Sequence, residues 1–197
     1  ELLAVLAKYS GTRDWSFDVD EKGRPFKMTG GKLKDVMSEG STNAAFLKDL
    51  EGAMGFQSPP KFSRETQTTS RVSIVDMKQK VTLPNGEVLE VFAASIRFIG
   101  DSRGDAFLVY NELRPVSQSM RWASELGQAD AFTIAKSYLQ DTSYKFELYR
   151  PVVSVFAHQE PHQKVTQVLA KNGPSTRLLL IGHDTRTVVW DKLVALQ

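Results

Sequence analysis

The sequence predicts an α+β fold: a mainly antiparallel, twisted sheet of about six or seven strands with helices packed against it. Long runs rich in Val, Ile, Phe and Tyr lie between residues 71 and 113, and segments with helical spacing of apolar residues lie on both sides of them. The 197 residues are 41% hydrophobic and 24% charged, as in ordinary globular domains. This composition excludes an intrinsically disordered chain.

The first 55 residues predict two helices and a hairpin. An apolar cluster in residues 2–9 ends at Ser10-Gly11, which is typical of a short helix. Apolar and polar residues alternate over 15–19 and a turn-forming stretch follows, which predicts a hairpin. A helix capped by Ser41 or Thr42 is expected to end at Gly55.

A central meander over residues 71–113 is expected after this region. Residues 56–70 are rich in Pro, Ser, Thr and Gln and predict a loop. Asn85-Gly86 separates the first two long runs, and this pair favours a tight hairpin because both residues tolerate positive φ. The second run, 87–99, carries apolar residues on both faces, which predicts a central strand covered on both sides.

The C-terminal part predicts more helix and strand. The expected elements are a helix over 117–141 with a break at Gly127, a strand over 144–157 with a bulge or edge at Pro151, a helix from Pro161 to Asn172, and a hairpin of 177–181 with 187–190. We therefore expect one α+β domain over 1–197, with residues 1–55 as a candidate sub-lobe joined by the loop 56–70.

Composition limits the chemistry. The chain has no cysteine, which excludes disulfides, thiolate metal sites and cysteine nucleophiles. Its 25 Lys and Arg against 23 Asp and Glu give a net charge of +2, which permits a polyanionic partner without requiring one. No apolar run approaches the roughly 18 residues of a membrane helix. Because the sequence begins at Glu1 without a methionine, we expect it to be part of a longer protein.

A serine motif is the first candidate for catalysis. Gly100-Asp101-Ser102-Arg103-Gly104 fits the G-x-S-x-G pattern of a nucleophile elbow and follows an apolar strand. An elbow must lead into a helix, whereas the residues from 105 to 113 predict another strand. We therefore interpret Ser102 as a turn residue and keep a hydrolase as an alternative hypothesis.

Three histidines are the second candidate. His158 and His162 flank Glu160, and a metal site with a third ligand at His183 or Asp184 is an alternative hypothesis. Pro161 disrupts the helical spacing such a site needs. If a helix begins there, His162 lies in its first turn, where the helix dipole disfavours the protonated imidazole.

Basic residues form two sequence clusters interleaved with phenylalanines. Such clusters are typical of surfaces that contact phosphates and stack bases, although acidic residues dilute both. A nucleic-acid-binding domain is therefore the second alternative, and it requires the cations of the second cluster to line one groove. The clusters are Lys22, Arg24, Lys27, Lys32 and Lys34 within 22–34, and Lys61, Arg64, Arg71, Lys78 and Lys80 within 61–80.

The leading hypothesis is a non-catalytic protein-interaction or assembly domain of a larger polypeptide or complex. Trp190 near Arg186 and Lys192 is the best interface candidate, because tryptophan is enriched where interfaces gain most of their binding energy. We expect a protein partner or self-association, with nucleic acid as the other partner class. No catalytic residue, metal ligand or cofactor site is assigned, and the sequence does not determine the compartment.

Overall fold

The computed structural model describes residues 1–56, 60–69, 71–116 and 124–194. In these residues the chain is an α+β protein with three helices and a mostly antiparallel sheet of ten strands, more than the six or seven predicted. The helices are α1 (Leu2–Ser10), α2 (Ser41–Ala53) and α3 (Gln128–Leu139). The strands are β1 (Ser16–Val19), β2 (Pro25–Leu33), β3 (Lys61–Thr68), β4 (Ser73–Thr82), β5 (Val88–Gly100), β6 (Ala106–Asn111), β7 (Lys145–Phe156), β8 (Gln163–Asn172), β9 (Ser175–Gly182) and β10 (Val188–Val194).

The first compact unit comprises residues 1–80 and 93–116. Its strands lie in the order β1-β2-β6-β5-β4-β3. Helix α2 packs on this sheet through Phe46, whose ring lies 5.8 Å from that of Phe98 and 5.2 Å from that of Tyr9 on α1. Lys8 and Tyr9 also bond Asp49, which ties α1 to α2. The core of this unit is therefore formed between two helices and the sheet.

The second compact unit comprises residues 81–92 and the described part of 117–197. Its strand order is β5-β7-β8-β9-β10, with residues 88–92 of β5 contributing. The contact between β5 and β7 is parallel and the others are antiparallel. Helix α3 covers one face, where Ala131 and Ala135 pack with Val168, Leu179 and Ile181.

The two units repeat one order of elements. In the first, α2 is followed by four strands that neighbour each other in chain order, β3-β4-β5-β6. In the second, α3 is followed by β7-β8-β9-β10 with the same arrangement. Glu112–Val116 and Glu147–Val152 resemble each other in sequence, but one follows β6 and the other lies within β7. The two units therefore share an order of elements, but the two similar sequence segments do not lie at equivalent positions in it.

Residues 61–68, predicted as part of a loop, form strand β3. The strand pairs with β4 from Lys61↔Lys80 to Thr68↔Ser73, and five of its residues, 61 and 65–68, are exposed. An edge strand that is solvated on both faces over half its length needs little apolar character, because its partner strand supplies the backbone hydrogen bonds. A prediction based on hydrophobic periodicity therefore misses it.

The helix predicted from Pro161 is wrong, because residues 163–172 form strand β8. Eight consecutive residues, 163–170, are buried, so the strand lies between its neighbours and is covered on both faces. A strand buried on both faces loses the polar–apolar alternation that identifies strands. Without that alternation, the spacing of Val165, Val168 and Leu169 matches that of a helix, which explains the wrong prediction.

The sequence predicted that strand β5 is covered on both faces, but in the structure only every second residue on each side of Ala93 is buried. Leu89 and Val91 are buried, and the alternation then shifts by one residue so that Ala94, Ile96 and Phe98 are buried. Ala93, at the shift, has a φ of 48°. An extra residue of this kind inserts a bulge and reverses the alternation, which explains the apolar residues on both apparent faces.

Other predicted elements are confirmed. The α+β class, the antiparallel character, the hairpin around Asn85-Gly86 and the meander of β4, β5 and β6 are present. The register of β7 is irregular between Leu148 and Val153, as expected around Pro151. Helix α3 begins after the predicted break at Gly127, whereas residues 117–123 of the predicted helix lie outside the described residues. The single domain over 1–197 with a sub-lobe at 1–55 stays a prediction.

Candidate functional site

Trp190 and Lys192 lie on strand β10, and Arg186 lies in the turn before it. The Trp190 ring packs against Phe92 at 5.2 Å and belongs to a small apolar cluster with Phe156. Lys192 is exposed. Arg186 donates to the Glu125 carbonyl oxygen at 2.8 Å. Within the described residues, Lys192 is therefore the one of the three whose side chain is exposed and makes no hydrogen bond or ion pair.

Three residues of the second basic cluster share one face of the first unit. Because directly paired residues of antiparallel strands point to the same side, Lys61, Lys80 and Lys78 lie on one face of β3 and β4. Arg64 lies on the opposite face, where it donates to the Met37 carbonyl oxygen. Arg71 lies exposed between the two strands. The five cations therefore do not line one groove.

Carboxylates neutralise part of this basic face. Lys78 pairs with Glu65 at 2.9 Å, and Arg97 on β5 pairs with Asp76 at 2.7 Å through two parallel bonds. Cross-strand ion pairs of this kind are typical of a solvated sheet face and reduce the positive charge available to a phosphate backbone.

The first basic cluster is similarly paired. Arg24 bonds Asp20 in the β1–β2 turn, Lys27 bonds Asp18 across the hairpin, and Lys32 bonds Asp101 and Asp105. Lys22 and Lys34 complete this cluster near the ends of β2.

Ser102 lies in the tight turn between β5 and β6. Asp101 organises this turn: its carboxylate accepts from the Arg103 amide at 2.9 Å, and its amide donates to the Asp105 carbonyl at 2.9 Å. Hydrogen bonds from the Lys32 ammonium and from the Arg103 and Asp105 amides hold the pKa of the Asp101 carboxyl well below its usual range. Strand β6 follows directly, so the helix that a nucleophile elbow requires is absent at this point.

Each of the three histidines has separate partners in the second unit. His158 Nε2 lies 2.8 Å from the Phe92 carbonyl oxygen, and His162 Nε2 lies 2.9 Å from a Glu160 carboxylate oxygen. His183 is buried and bonds other groups. In the four described ranges, no group of three or more His, Asp and Glu residues could hold a metal ion. His162 does not lie in a helix, so the predicted dipole effect on it does not operate.

A polar cluster surrounds the buried side chain of Lys164. Of its residues, only His183 was named from the sequence. At its centre, the Lys164 ammonium is 2.9 Å from Glu87 and 2.7 Å from Glu125, while only 3% of its side chain is exposed. His183 Nε2 lies 2.9 Å from the Thr166 hydroxyl, and Nδ1 lies 3.3 Å from the Ser124 carbonyl oxygen. We call this the Lys164 cluster; its members are Lys164, Glu87, Glu125, His183, Thr166 and Ser124.

The electrostatics of the Lys164 cluster favour a charged lysine and a neutral histidine. Burial lowers the pKa of Lys164, but hydrogen bonds to Glu125 and Glu87 outweigh this and raise it above its ordinary value. Burial lowers the pKa of His183, and the neighbouring Lys164 charge lowers it further against the bond to Ser124. The Glu87 and Glu125 carboxylates therefore pair with the Lys164 ammonium.

The signal that would have found this cluster was hidden by the wrong helix prediction for 161–172. On a strand, Lys164 and Thr166 share a face, and the pairing of Val165 with Gly182 brings His183 beside them. Glu125 and Glu87 are distant in sequence and carry no local pattern that connects them to Lys164.

Comparisons with known proteins identify no family for this chain. No protein-family profile matches it, and no curated protein does. Among solved structures, it resembles the C-terminal domain of YpeB from Bacillus megaterium, with 11% identity over 98% of this chain and 96% of that one and a TM-score of 0.43. A similarity this weak carries no information about activity or partners. In the described residues, no helix is long and apolar enough to cross a membrane.

Proposed function

We propose that the chain is a non-catalytic protein-interaction or assembly domain, and that strand β10 is its docking strand. Within the described residues, β10 pairs with β9 alone, and five of its seven residues are Val, Trp or Leu. The observation that carries the proposal is the exposure of Leu193, which is 64% on this edge. A strand edge offers unpaired N–H and C=O groups to another strand, and apolar side chains add contact area.

The outer strands of the first unit are less suited to docking. Strand β1 has only four residues, and β3 carries Lys61, Arg64 and Glu65. Short edges and charged edges are two ways by which proteins prevent strand addition. Strand β10 has seven residues, of which only Asp191 and Lys192 are charged, and its one register irregularity lies near its start, between Val188 and Trp190.

The occupant that fits β10 best is the same strand of a second copy. Full antiparallel overlap of two seven-residue strands about a two-fold axis places Asp191 opposite its own copy. Arg177 bonds Asp191 through both oxygens within each chain, which neutralises that contact. Lys192 then faces Trp190 of the other copy, an arrangement that favours a cation–π contact. Val189 lies where the register of β10 is irregular, between Val188 and Trp190, and comes close to Leu193 of the other copy, so the remaining contacts are apolar.

We expect a weak, concentration-dependent dimer that Leu193→Lys disrupts. A single strand pair buries less than a standard interface, so a Kd of about 10 micromolar or weaker is expected. A lysine at position 193 faces an apolar residue of the other copy and is expected to raise the Kd by about tenfold. Native mass spectrometry and sedimentation of the whole chain measure the subunit count.

Val19→Lys is the matched control, because Val19 is 54% exposed on the short edge strand β1. It is expected to leave the Kd unchanged. A chain that stays monomeric at all concentrations would contradict docking by self-association. Co-purifying nucleic acid in the same spectra would instead favour the nucleic-acid alternative.

A further inference from the structure

The segment that precedes helix α3 is held on the sheet of the second unit by polar contacts. We call residues 124–127 the latch segment. The Ser124 hydroxyl lies 2.8 Å from both the His183 carbonyl oxygen and the Asp184 carboxylate. Arg186 donates to the Glu125 carbonyl oxygen at 2.8 Å. Leu126 is 8% exposed and packs in the core beneath α3, so release of the latch segment uncovers that core.

His183 contacts the latch segment through a ring that is 1% exposed and bonded at both nitrogens. Because a carbonyl oxygen only accepts, Nδ1 carries the proton and donates to the Ser124 oxygen. In the neutral ring, Nε2 then accepts from the Thr166 hydroxyl. A second proton on Nε2 removes this acceptor and places a buried charge beneath the latch segment.

The charged groups around His183 compensate for that charge only in part: burial and the Lys164 charge keep the pKa of the ring below its ordinary value, although Glu125 and Asp184 raise it. Lys164 of β8 faces the ring with its ammonium group, and Glu87, which precedes β5, is bonded to that ammonium. Glu125 of the latch segment has one carboxylate oxygen 3.8 Å from Nδ1, but its other oxygen is bonded to Lys164. Asp184, in the turn after β9, is bonded to Ser124. Each nearby carboxylate is already engaged with another group.

We propose that His183 and the latch segment form an acid-sensitive latch that holds the start of α3 on the sheet and releases it when His183 is protonated. The released state exposes the ring to water, where it binds a proton with the ordinary affinity of histidine. Between about pH 7.5 and pH 5, this linkage raises the population of the released state by up to about 30-fold.

Hydrogen exchange of the whole chain tests the latch. Peptides that cover residues 124–139 are measured by mass spectrometry at about pH 7.5 and pH 5, with rates corrected for the intrinsic pH dependence of amide exchange. The expected result is a loss of protection at the lower pH of up to about 30-fold. Equal protection at the two pH values would overturn the proposal.

His183→Asn is the variant that separates protonation from packing, because the asparagine amide donates to the Ser124 oxygen from nearly the position of Nδ1 and does not titrate. It is expected to abolish the pH effect, and an unchanged acid response in this variant would overturn the proposal. Lys164→Met provides a second test that keeps the histidine. Removing the ammonium makes protonation of the closed state easier, so the acid-induced loss of protection is expected to shrink.

Discussion

Replacing Lys164 by alanine is expected to destabilise the second unit by about 2 to 4 kcal/mol. The alanine removes a packed stem whose side chain is 3% exposed and leaves Glu87 and Glu125 without their cation. Glu125 is 77% exposed and regains water, so most of the electrostatic loss falls on Glu87, which is 35% exposed. The effect therefore lies below that of a fully buried ion pair.

Lys164→Met separates packing from charge. Methionine retains most of the stem and lacks the ammonium, so we expect it to lose about half as much stability as alanine does. The measurement is the free energy of opening of β8 amides by hydrogen exchange, because the two units need not unfold together. Equal losses for alanine and methionine would show that charge alone stabilises this position, and no loss for either would contradict the structural role of the Lys164 cluster.

Replacing Glu51 by glutamine is expected to stabilise the first unit by about 3 kcal/mol near pH 8 and by little near pH 4. Glu51 lies in the last turn of α2 and is 6% exposed, and burial raises its pKa to about 7. The negative end of the helix dipole disfavours its charge there as well.

The sign of the pH dependence follows from this raised pKa. A carboxyl group with a folded pKa above its unfolded value contributes stability that is present at low pH and is lost as the pH rises toward 7. The wild-type first unit should therefore lose stability between about pH 4.5 and pH 7. In the Glu51→Gln variant this loss should disappear.

Exchange of α2 amides at several pH values measures this effect. Glu21→Gln, in the exposed turn between β1 and β2, is the control and should change neither the stability nor its pH dependence. A Glu51→Gln variant with the same pH profile as the wild type would refute the assignment. As the pH falls from about 7 to 4.5, protonation of Glu51 should stabilise the first unit while protonation of His183 opens the latch of the second.

The sequence by itself determined the elements whose signals are local. Gly11 ends α1 in the left-handed conformation because glycine has no Cβ, and Gly86 takes a φ of 87° in the β4–β5 turn for the same reason. The class of the fold followed from such signals together with hydrophobic periodicity. The turn interpretation of Ser102 was also local, because it depended only on the strand that follows.

Tertiary structure decided the elements whose sequences lack the periodic pattern of a helix or strand. Strand β8 is covered on both faces, so its residues lost the alternation that distinguishes a strand from a helix. Strand β3 has a polar sequence and is held by its partner β4. The Lys164 cluster unites residues 87, 125, 164 and 183, and such pairing depends on strand register, which backbone hydrogen bonds and packing set across long sequence separations. No local pattern encodes that register, because it arises only when the sheet forms.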